Sequence, residues 1–386
     1  MMKWPTTNDN EAGIYIHIPF CRKACHYCNF HFSTSLKLKS DFLEALKKEI
    51  ALRSNYLEGK QVTTIYFGGG TPSVLTATEI NDIVQTLHQH YPIGTLREVT
   101  LEANPDDLTP EYIDSLKDTA VNRLSIGIQS FQQAELEYMN RSHTAAQATN
   151  AIDYALNTHR FLLTIDLIYG GPLLTDEQWA EHLKKVAIWG IPHFSAYALT
   201  VEEKTALDYA IRSKNSPPVD PEKAARHFTM LMEFARTNGY DHYEISNFAK
   251  PGMHAVHNTH YWMGCHYLGL GPSAHSFNGS SRSWNAPNNA LYIKALTQNL
   301  PAPGDVEVLT ERDTFNEYVM TSLRTQWGCN LQKIENNWGA ESQKYLLENS
   351  QHYVSEGKMI LHENHLYLTS AGRLFADAIA SDLFWV

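Results

Sequence analysis

The first two hundred residues repeat one pattern, in which a short run of apolar, often β-branched residues precedes a stretch with apolar residues at helical spacing. In residues 41–57, for example, Phe42, Leu46 and Ile50 recur four residues apart behind Asp41. The strand-like runs are nearly continuous in apolar residues, as expected of strands that are buried on both faces of a sheet. We predict six strands, at residues 13–20, 62–69, 98–104, 123–130, 162–170 and 193–200.

This alternation of strand and helix predicts a parallel sheet whose strands are joined by right-handed crossover connections. Six strand–helix units are too few for a closed barrel of eight strands, so we predict an α/β fold, a partial (β/α)6 barrel of the TIM type. Functional groups of such barrels gather at the carboxyl ends of the strands. Those ends are therefore the expected place for a functional site.

The pattern changes after residue 200. Residues 213–221 have the composition of a linker, and residues 242–279 show so little periodicity that they predict a surface built from loops. From about Thr310, two helical stretches, a hairpin-like run and a last helix at 370–384 predict a small α+β, winged-helix-like domain. We divide the chain into a core domain at 1–236, a connecting region at 237–309 and a C-terminal domain at 310–386.

Composition and charge favour a protein of the cytoplasm. Five cysteines, three of them in one loop, argue against a disulfide framework and for a reducing compartment. The segment MMKWPTTNDNEAG has no apolar signal region, and no stretch approaches the length of a membrane span. The net charge of −11 disfavours nucleic acid as a partner, because phosphate binding needs clustered Lys and Arg. We expect a cytoplasmic protein that is not an integral membrane protein.

A loop directly after the first predicted strand carries Cys21, Cys25 and Cys28 at the spacing C-x3-C-x2-C. Zinc sites usually close with four ligands, and no second CxxC or H-x3–5-H pair follows at finger spacing. An iron–sulfur cubane also normally takes four cysteines, so three would leave one iron open to a substrate or cofactor. Three structural thiols on a surface loop are the alternative. Cys265 and Cys329 could supply a fourth ligand or be buried free thiols.

Polar groups appear at the end of strand after strand. The second strand ends in FGGGTPS, whose glycines let the backbone approach a ligand closely, although a plain tight turn would look the same. No Lys follows, so this is not a phosphate-binding P-loop. The third strand ends with Glu102, the fourth with Gln129, and Asp166 lies inside the apolar fifth strand. These groups indicate a site for a polar, zwitterionic ligand, although Asp166 alone could be a structural hydrogen-bonding residue.

A second candidate site is HNTHYW, residues 257–262, within the region of low periodicity. His, Tyr and Trp within six residues suit a flat aromatic ligand with an axial metal position. A surface histidine that only forms hydrogen bonds is the alternative. His254, His260 and His266 are neighbours that could take the same role.

The order of these motifs resembles a known family. The cysteine loop is similar to that of the radical SAM superfamily, in which a [4Fe-4S] cluster holds S-adenosylmethionine (SAM) on its unique iron. YIHIPFCRKACHYCNF, IYFGGGTPS, LEANPDDL, RLSIGIQSF, DLIYGGP, YEISNFAKPG, HNTHYW and YLGLGPSAH together resemble the HemW-type heme chaperone family, a relative of the HemN-type oxygen-independent coproporphyrinogen III oxidase. The matches run from about residue 14 to 276, and the C-terminal part has the size of the family's accessory domain.

The resemblance implies site residues. It assigns the cluster to the three cysteines of the loop, and heme to His257, Asn258, Tyr261 and Trp262. Glu102 and Arg141 would pair with the methionyl charges of SAM, while Gln129 and Asp166 would bind its ribose hydroxyls. The full set implied to contact SAM is Tyr15, Tyr27, Gly69, Gly70, Thr71, Glu102, Gln129, Arg141 and Asp166.

Two features separate chaperone from oxidase. The oxidase has a further Cys two residues after the third, where this chain has Phe30, and HNTHYW fits the HNxxYW pattern of the chaperones. Gly171 in DLIYGGP departs from the family, which more often has Leu there. Both diagnostic features favour the chaperone.

The function implied by the resemblance is a heme chaperone that carries a [4Fe-4S] cluster and SAM and delivers heme to respiratory hemoproteins. Contact with membrane-bound acceptors would be transient, and enzymatic activity is left open. One alternative is an oxygen-independent coproporphyrinogen III oxidase of porphyrin biosynthesis, which the missing cysteine disfavours. A radical SAM enzyme that modifies RNA is disfavoured by the acidic charge balance.

Overall fold

The computed structural model describes residues 9–385, and within them the largest unit is one mixed sheet of twelve strands. Across the sheet the strands follow the order β12-β11-β10-β9-β1-β2-β3-β4-β5-β6-β8-β7. Their bounds are β1 Glu11–Ile18, β2 Gln61–Gly69, β3 Ile93–Ala103, β4 Arg123–Gln129, β5 Leu162–Tyr169, β6 His193–Ala198, β7 Asp241–Glu244, β8 Asn247–Ala249, β9 His266–Leu270, β10 His275–Phe277, β11 Ser281–Asn285 and β12 Gly304–Val308.

The six predicted strands form the centre of this sheet. β1 to β6 pair in parallel in chain order, and β3 begins at Ile93, earlier than predicted. The outer edge of β1 pairs with β9 and that of β6 pairs with the antiparallel β8, so β1 and β6 do not pair to close a barrel. The predicted α/β fold with a partial barrel is confirmed. Fully buried residues such as Ile14, Phe67 and Ile165 explain the apolar runs.

Helices connect these strands, and local capping chemistry sets where several of them begin. α2, α5 and α6 each begin with a reciprocal capping box, formed by Thr76 with Glu79 in α2. The helices of the first three hundred residues are α1 Lys39–Leu52, α2 Ala77–His90, α3 Pro110–Leu116, α4 Gln133–Tyr138, α5 Ala145–Asn157, α6 Asp176–Ile188, α7 Ala206–Arg212, α8 Pro221–Thr237, α9 Val256–Met263 and α10 Asn289–Thr297, with short 3-10 turns at Leu36–Leu38 and Pro72–Val74.

The prediction that residues 242–279 form a loop-built surface is wrong. This segment contains β7, β8, α9, β9 and β10, and β9 pairs in parallel with β1 at the centre of the sheet. The elements are only three to eight residues long, so no window contains enough turns or alternations to reveal a period. The HNTHYW motif therefore lies on a helix, α9, and not on a loop.

The C-terminal residues form a second hydrophobic core, around Phe315, Val319, Ile334 and Leu346. The predicted helices and hairpin are present, but α12 was not predicted and the expected last helix is broken after Arg373. A small antiparallel sheet has the order β13-β15-β14. The elements are α11 Glu311–Leu323, β13 Cys329–Asn330, α12 Leu331–Trp338, α13 Ala340–Ser355, β14 Met359–His362, β15 His365–Leu368, α14 Ser370–Arg373 and α15 Ala376–Asp382.

The domain boundaries after residues 236 and 309 stay a prediction, although β7 to β12 of the connecting region belong to the core sheet. Residues 1–8 of the predicted core domain and residue 386 of the predicted C-terminal domain lie outside the described residues. Among the helices between residues 9 and 385, none combines the length and the apolar composition that a membrane crossing requires.

Candidate functional site

The cysteine loop leaves β1 and is held from two sides. At its base, the Cys21 amide donates to the Ser33 carbonyl at 3.0 Å. On its other side, the side-chain Nδ2 of Asn140 donates to the Ala24 carbonyl at 2.7 Å. The backbone amide of His26 donates to the Met139 carbonyl at 3.1 Å. The loop is therefore positioned by its own base and by the chain that follows α4.

The three thiols of this loop are free, and Cys21 is buried. Burial is the main cause that raises the pKa of Cys21 to about 11, and it also raises the pKa of Cys28. Within residues 9–385, no three His, Cys, Asp or Glu side chains are grouped to hold a single metal ion. In an iron–sulfur cubane each thiolate binds a different iron, so its ligands do not crowd around one point. The thiol set fits a cluster better than a single ion.

A cavity of about 630 Å³ opens at the carboxyl ends of the central strands. The three cysteines and all nine residues predicted to contact SAM line this one cavity. His257, Asn258 and Tyr261 also line it, whereas Trp262 does not. The fold thus brings together in one cavity residues from Tyr15 to Tyr261, and their individual roles stay predictions.

Two carboxylates face this cavity, Glu102 from the end of β3 and Asp166 from β5, and β4 lies between these two strands. Glu102 accepts from the Tyr66 hydroxyl at 2.7 Å and from the Gly69 amide at 3.2 Å. Burial raises the pKa of Glu102 to about 7, and the pKa of Asp166 to about 6. A cationic ligand would stabilise both carboxylates in their charged forms. The ammonium and sulfonium groups of SAM have the required charge.

Arg141 supplies the positive charge of the site. Its Nη2 donates to Asn104 Oδ1 at 2.6 Å and to the Gly127 carbonyl at 2.9 Å, while Nη1 lies 3.3 Å from the Cys25 sulfur. Burial alone would lower the pKa of Arg141, but Tyr27 and Cys25 raise it above the ordinary value. Its buried Nε has no hydrogen-bond partner among the described residues. The guanidinium therefore keeps one donor free for an anionic ligand such as a carboxylate.

The glycine run after β2 approaches the cysteine loop too closely for any side chain. A Cβ on Gly70 would lie 2.6 Å from the Phe20 carbonyl oxygen and 3.0 Å from the Cys21 sulfur. Gly69 has φ +109°, and a Cβ there would meet the His17 ring at 2.7 Å. The run is thus more than a tight turn, because it is a wall of the site. At the end of β4, Gln129 adopts φ 63°, a strained conformation for a residue with a side chain.

Two residues of the site were missed in the sequence. Asn104 donates to the Thr71 hydroxyl at 3.2 Å while it accepts from Arg141, so it links two predicted ligand-binding residues. Tyr66 stacks on Tyr15 with ring centroids 6.0 Å apart. A signal was present for Asn104, since it follows Glu102 by two positions at the same strand end.

His257 of the HNTHYW helix, α9, is buried where this helix packs against the sheet. Its Nδ1 lies 2.8 Å from Thr64 Oγ1, its Nε2 lies 2.9 Å from the Tyr261 hydroxyl, and its ring stacks on Tyr66. Burial lowers the pKa of His257 to about 3, so the imidazole is neutral. The alternative of a surface histidine is excluded. Coordination of a metal through Nε2 would have to displace the hydrogen bond to Tyr261.

A buried ion pair holds the start of α9 against the sheet. Glu98 of β3 accepts from the backbone amides of Val256 at 2.8 Å and His257 at 3.0 Å. Arg123 of β4 donates to the same carboxylate at 2.9 Å and to the Met253 carbonyl at 3.2 Å. Glu98 and Arg123 are each 2 % exposed. The carboxylate therefore caps α9, and the sequence pattern carried no signal for it.

A second cavity, of about 760 Å³, lies between this helix and the C-terminal helices α11 and α12. It shares four lining residues with the first cavity, and Trp262 lines it. Phe30, which stands where the oxidase has its extra cysteine, is 69 % exposed. The residues common to both cavities are Tyr15, Phe30, Asn258 and Tyr261.

Replacing Asp166 by Asn is expected to weaken SAM binding about tenfold, because an amide oxygen replaces a charged acceptor of hydroxyl hydrogen bonds. Calorimetric titration of the cluster-loaded protein with SAM measures the change. Asp118→Asn, an exposed position outside the cavity, is the control and should bind SAM like the parent protein. Unchanged affinity in Asp166→Asn would leave Asp166 as a structural acceptor for Ser125, whose hydroxyl lies 3.3 Å away.

Comparison with known proteins finds similarity to this chain both in sequence and in fold. Residues 15–186 match the model of the radical SAM superfamily, and residues 309–375 match that of the HemN C-terminal domain. The heme chaperone HemW of Mycobacterium tuberculosis is 31 % identical over 96 % of this chain and 94 % of its own. HemW of Lactococcus lactis is 30 % identical over 93 % of each chain. The structure of HemN, the coproporphyrinogen III oxidase of Escherichia coli, superposes with a TM-score of 0.83 at 24 % identity, covering 97 % of this chain and 90 % of that chain.

The structural match establishes a shared fold, and the sequence matches extend over nearly the whole length of both chains. The resemblance seen in the motifs is confirmed. This chain belongs to the HemW family of the radical SAM superfamily.

Proposed function

We propose that this protein acts in the cytoplasm, where it binds heme and delivers it to respiratory hemoproteins, with a [4Fe-4S] cluster and SAM bound beside the heme. Two relatives, 31 % and 30 % identical over 94 % and 93 % of their own lengths, are named heme chaperones. The negative net charge gives no support to a nucleic-acid partner. Membrane-bound acceptors would be contacted only transiently.

One observation carries this proposal: Asn258 and Tyr261 of the HNTHYW helix line both cavities. One face of the helix borders the cavity with the cysteines, and Trp262 borders the other. A heme in the second cavity would lie next to SAM in the first, separated by the Tyr15 and Tyr261 side chains.

The residues of the first cavity have distinct tasks in this proposal. A [4Fe-4S] cluster with SAM supplies one-electron chemistry when it is bound. Cys21, Cys25 and Cys28 hold the cluster, and Glu102 and Arg141 pair with the opposite charges of the methionyl group. Of these cysteines, Cys21 is buried, and Cys25 and Cys28 are half-buried.

The alternative function is oxygen-independent coproporphyrinogen III oxidation. The fold is shared with that oxidase, but fold alone does not assign an activity. The residue that discriminates is Phe30, an exposed apolar side chain where the oxidase has a further cysteine.

Anaerobic reconstitution of one sample, followed by heme titration and a coproporphyrinogen assay, separates the two functions. We expect one heme per chain, read from the Soret band, and no decarboxylation with SAM and reductant. Conversion of coproporphyrinogen III to protoporphyrinogen IX would overturn the chaperone proposal. Absence of any heme binding would overturn it as well.

Replacing His257 by Ala is expected to weaken heme binding and to shift the Soret band, because an imidazole ligand of the iron is lost. His257 lines the first cavity and not the second, so it reaches a heme in the second cavity when the Tyr261 side chain moves away from His257 Nε2. His254 and His260 lie within three residues, so the triple variant is measured alongside the single one. The iron content of the reconstituted cluster serves as the control for folding. If the triple variant binds heme like the parent, the axial ligand lies elsewhere.

A further inference from the structure

The second cavity is formed where the core sheet and the C-terminal domain meet. α9 and β9 to β11 supply one side, and α11 and α12 supply the other. Its volume of about 760 Å³ falls within the range of roughly 300–1,000 Å³ that is usual for small-molecule sites. None of the cluster ligands lines it.

Aromatic rings face this cavity from both domains. Trp262 and Tyr267 do so from the core, and Tyr318 and Trp338 from the C-terminal domain. The Tyr318 and Trp338 rings are stacked, with centroids 5.5 Å apart. The indole Nε1 of Trp262 is buried without a hydrogen-bond partner in the described part of the chain. Walls of this kind suit a large, flat, mostly apolar ligand.

Two cations at the same cavity have bonding capacity that the protein does not fill. The Lys333 ammonium lies 4.6 Å from the centroid of the Tyr318 ring, and no carboxylate of residues 9–385 forms a hydrogen bond with it. Arg282 pairs through Nη2 with Glu317 at 2.9 Å, but its buried Nε has no partner in those residues. An arginine fork has five donors, so it can serve a second carboxylate.

We propose that this interdomain cavity holds the heme, with its two carboxylates at Arg282 and Lys333 and its ring between the aromatic walls; this rests on the proposed function. Heme is a planar ring that carries two carboxylates on one edge, so it matches a flat aromatic slot with two cations. Arg282 lies on β11 of the core sheet, and Lys333 lies on α12 of the C-terminal domain. Bound heme therefore contacts both the core sheet and the C-terminal domain.

The test compares heme with its dimethyl ester, which has the same ring and iron but no carboxylates. The proteins are the reconstituted parent, Arg282→Gln, Lys333→Gln and the double variant. Arg312→Gln and Lys344→Gln remove exposed cations that do not line the cavity, and they serve as matched controls. Optical titration yields a Kd for each ligand with each protein.

We expect the parent to prefer heme over the ester, and each cavity variant to lose about tenfold in affinity for heme while its affinity for the ester is unchanged. The double variant should bind both ligands equally, and the control variants should behave like the parent. A parent that binds heme and ester equally would overturn the cation anchors but leave the chaperone function standing. A variant that loses both ligands to the same extent would likewise overturn the anchors, because a structural role explains it. A parent that binds neither ligand would overturn the proposed function itself.

Discussion

Replacing Cys21, Cys25 or Cys28 by Ala is expected to abolish stable assembly of the [4Fe-4S] cluster, from about four irons per chain to less than one. Only three neighbouring thiols line the cavity, so the loss of one leaves two irons without a protein ligand. Iron and sulfide analysis after anaerobic reconstitution, with the absorption of the cluster, measures the effect.

The matched control is Cys265→Ala, because Cys265 is a free, half-buried thiol that does not line the cavity with the cluster loop. It should keep the full iron content of the parent. A loop variant with full content, or a Cys265 variant with reduced content, would mean that another residue supplies a ligand.

Replacing Glu98 by Gln is expected to lower the free energy of unfolding by about 3–5 kcal/mol, the usual cost of breaking a buried ion pair from one side. The substitution leaves the Arg123 cation buried without its counter-charge and weakens the acceptor for two amides of α9. Denaturant unfolding followed by circular dichroism measures the change. The double variant Glu98→Gln with Arg123→Met should recover part of the loss, because no unpaired charge is left buried.

The control for the ion pair of Glu98 with Arg123 is the exposed ion pair of the neighbouring residue Arg97. Arg97 pairs with Glu11 at 3.0 Å but is 46 % exposed, so Arg97→Gln should cost about 1 kcal/mol or less. A similar small loss in Glu98→Gln would contradict the view that this carboxylate anchors the helix. Because the anchored helix carries His257, we also expect Glu98→Gln to weaken heme binding.

The central sheet was predictable because its signal is local. Strands buried on both faces need continuous apolar runs, and the loops between them need polar and small residues. The cysteine spacing is likewise local, since all three thiols lie within eight positions. Glu102, Gln129 and Asp166 could be grouped because the carboxyl ends of parallel strands meet at one edge.

The HNTHYW helix, α9, could not be predicted from a local sequence pattern. α9 has eight residues and presents no clean apolar stripe, since it is packed on several sides, against β1, β2, β3, β9 and α11. His257 and Thr64 are 193 positions apart, and their hydrogen bond leaves no mark in either local sequence. Asn104 lies close to the LEANP glutamate in sequence, but its role depends on two partners outside its strand, Thr71 after β2 and Arg141 after α4.

The sequence by itself determined the α/β class, the order of the parallel strands, the position of the cysteine loop and the family. The class, the strand order and the cysteine loop follow from spacing within a few residues or from the direction of neighbouring strands, and the family follows from the resemblance of the ordered motifs. Only the tertiary structure decided that Glu98 caps α9 across 158 positions, and that Arg282 and Lys333 face one cavity from two domains. The physical reason is that burial and charge pairing depend on distances in space, and chain separation of this size imposes no period on the sequence.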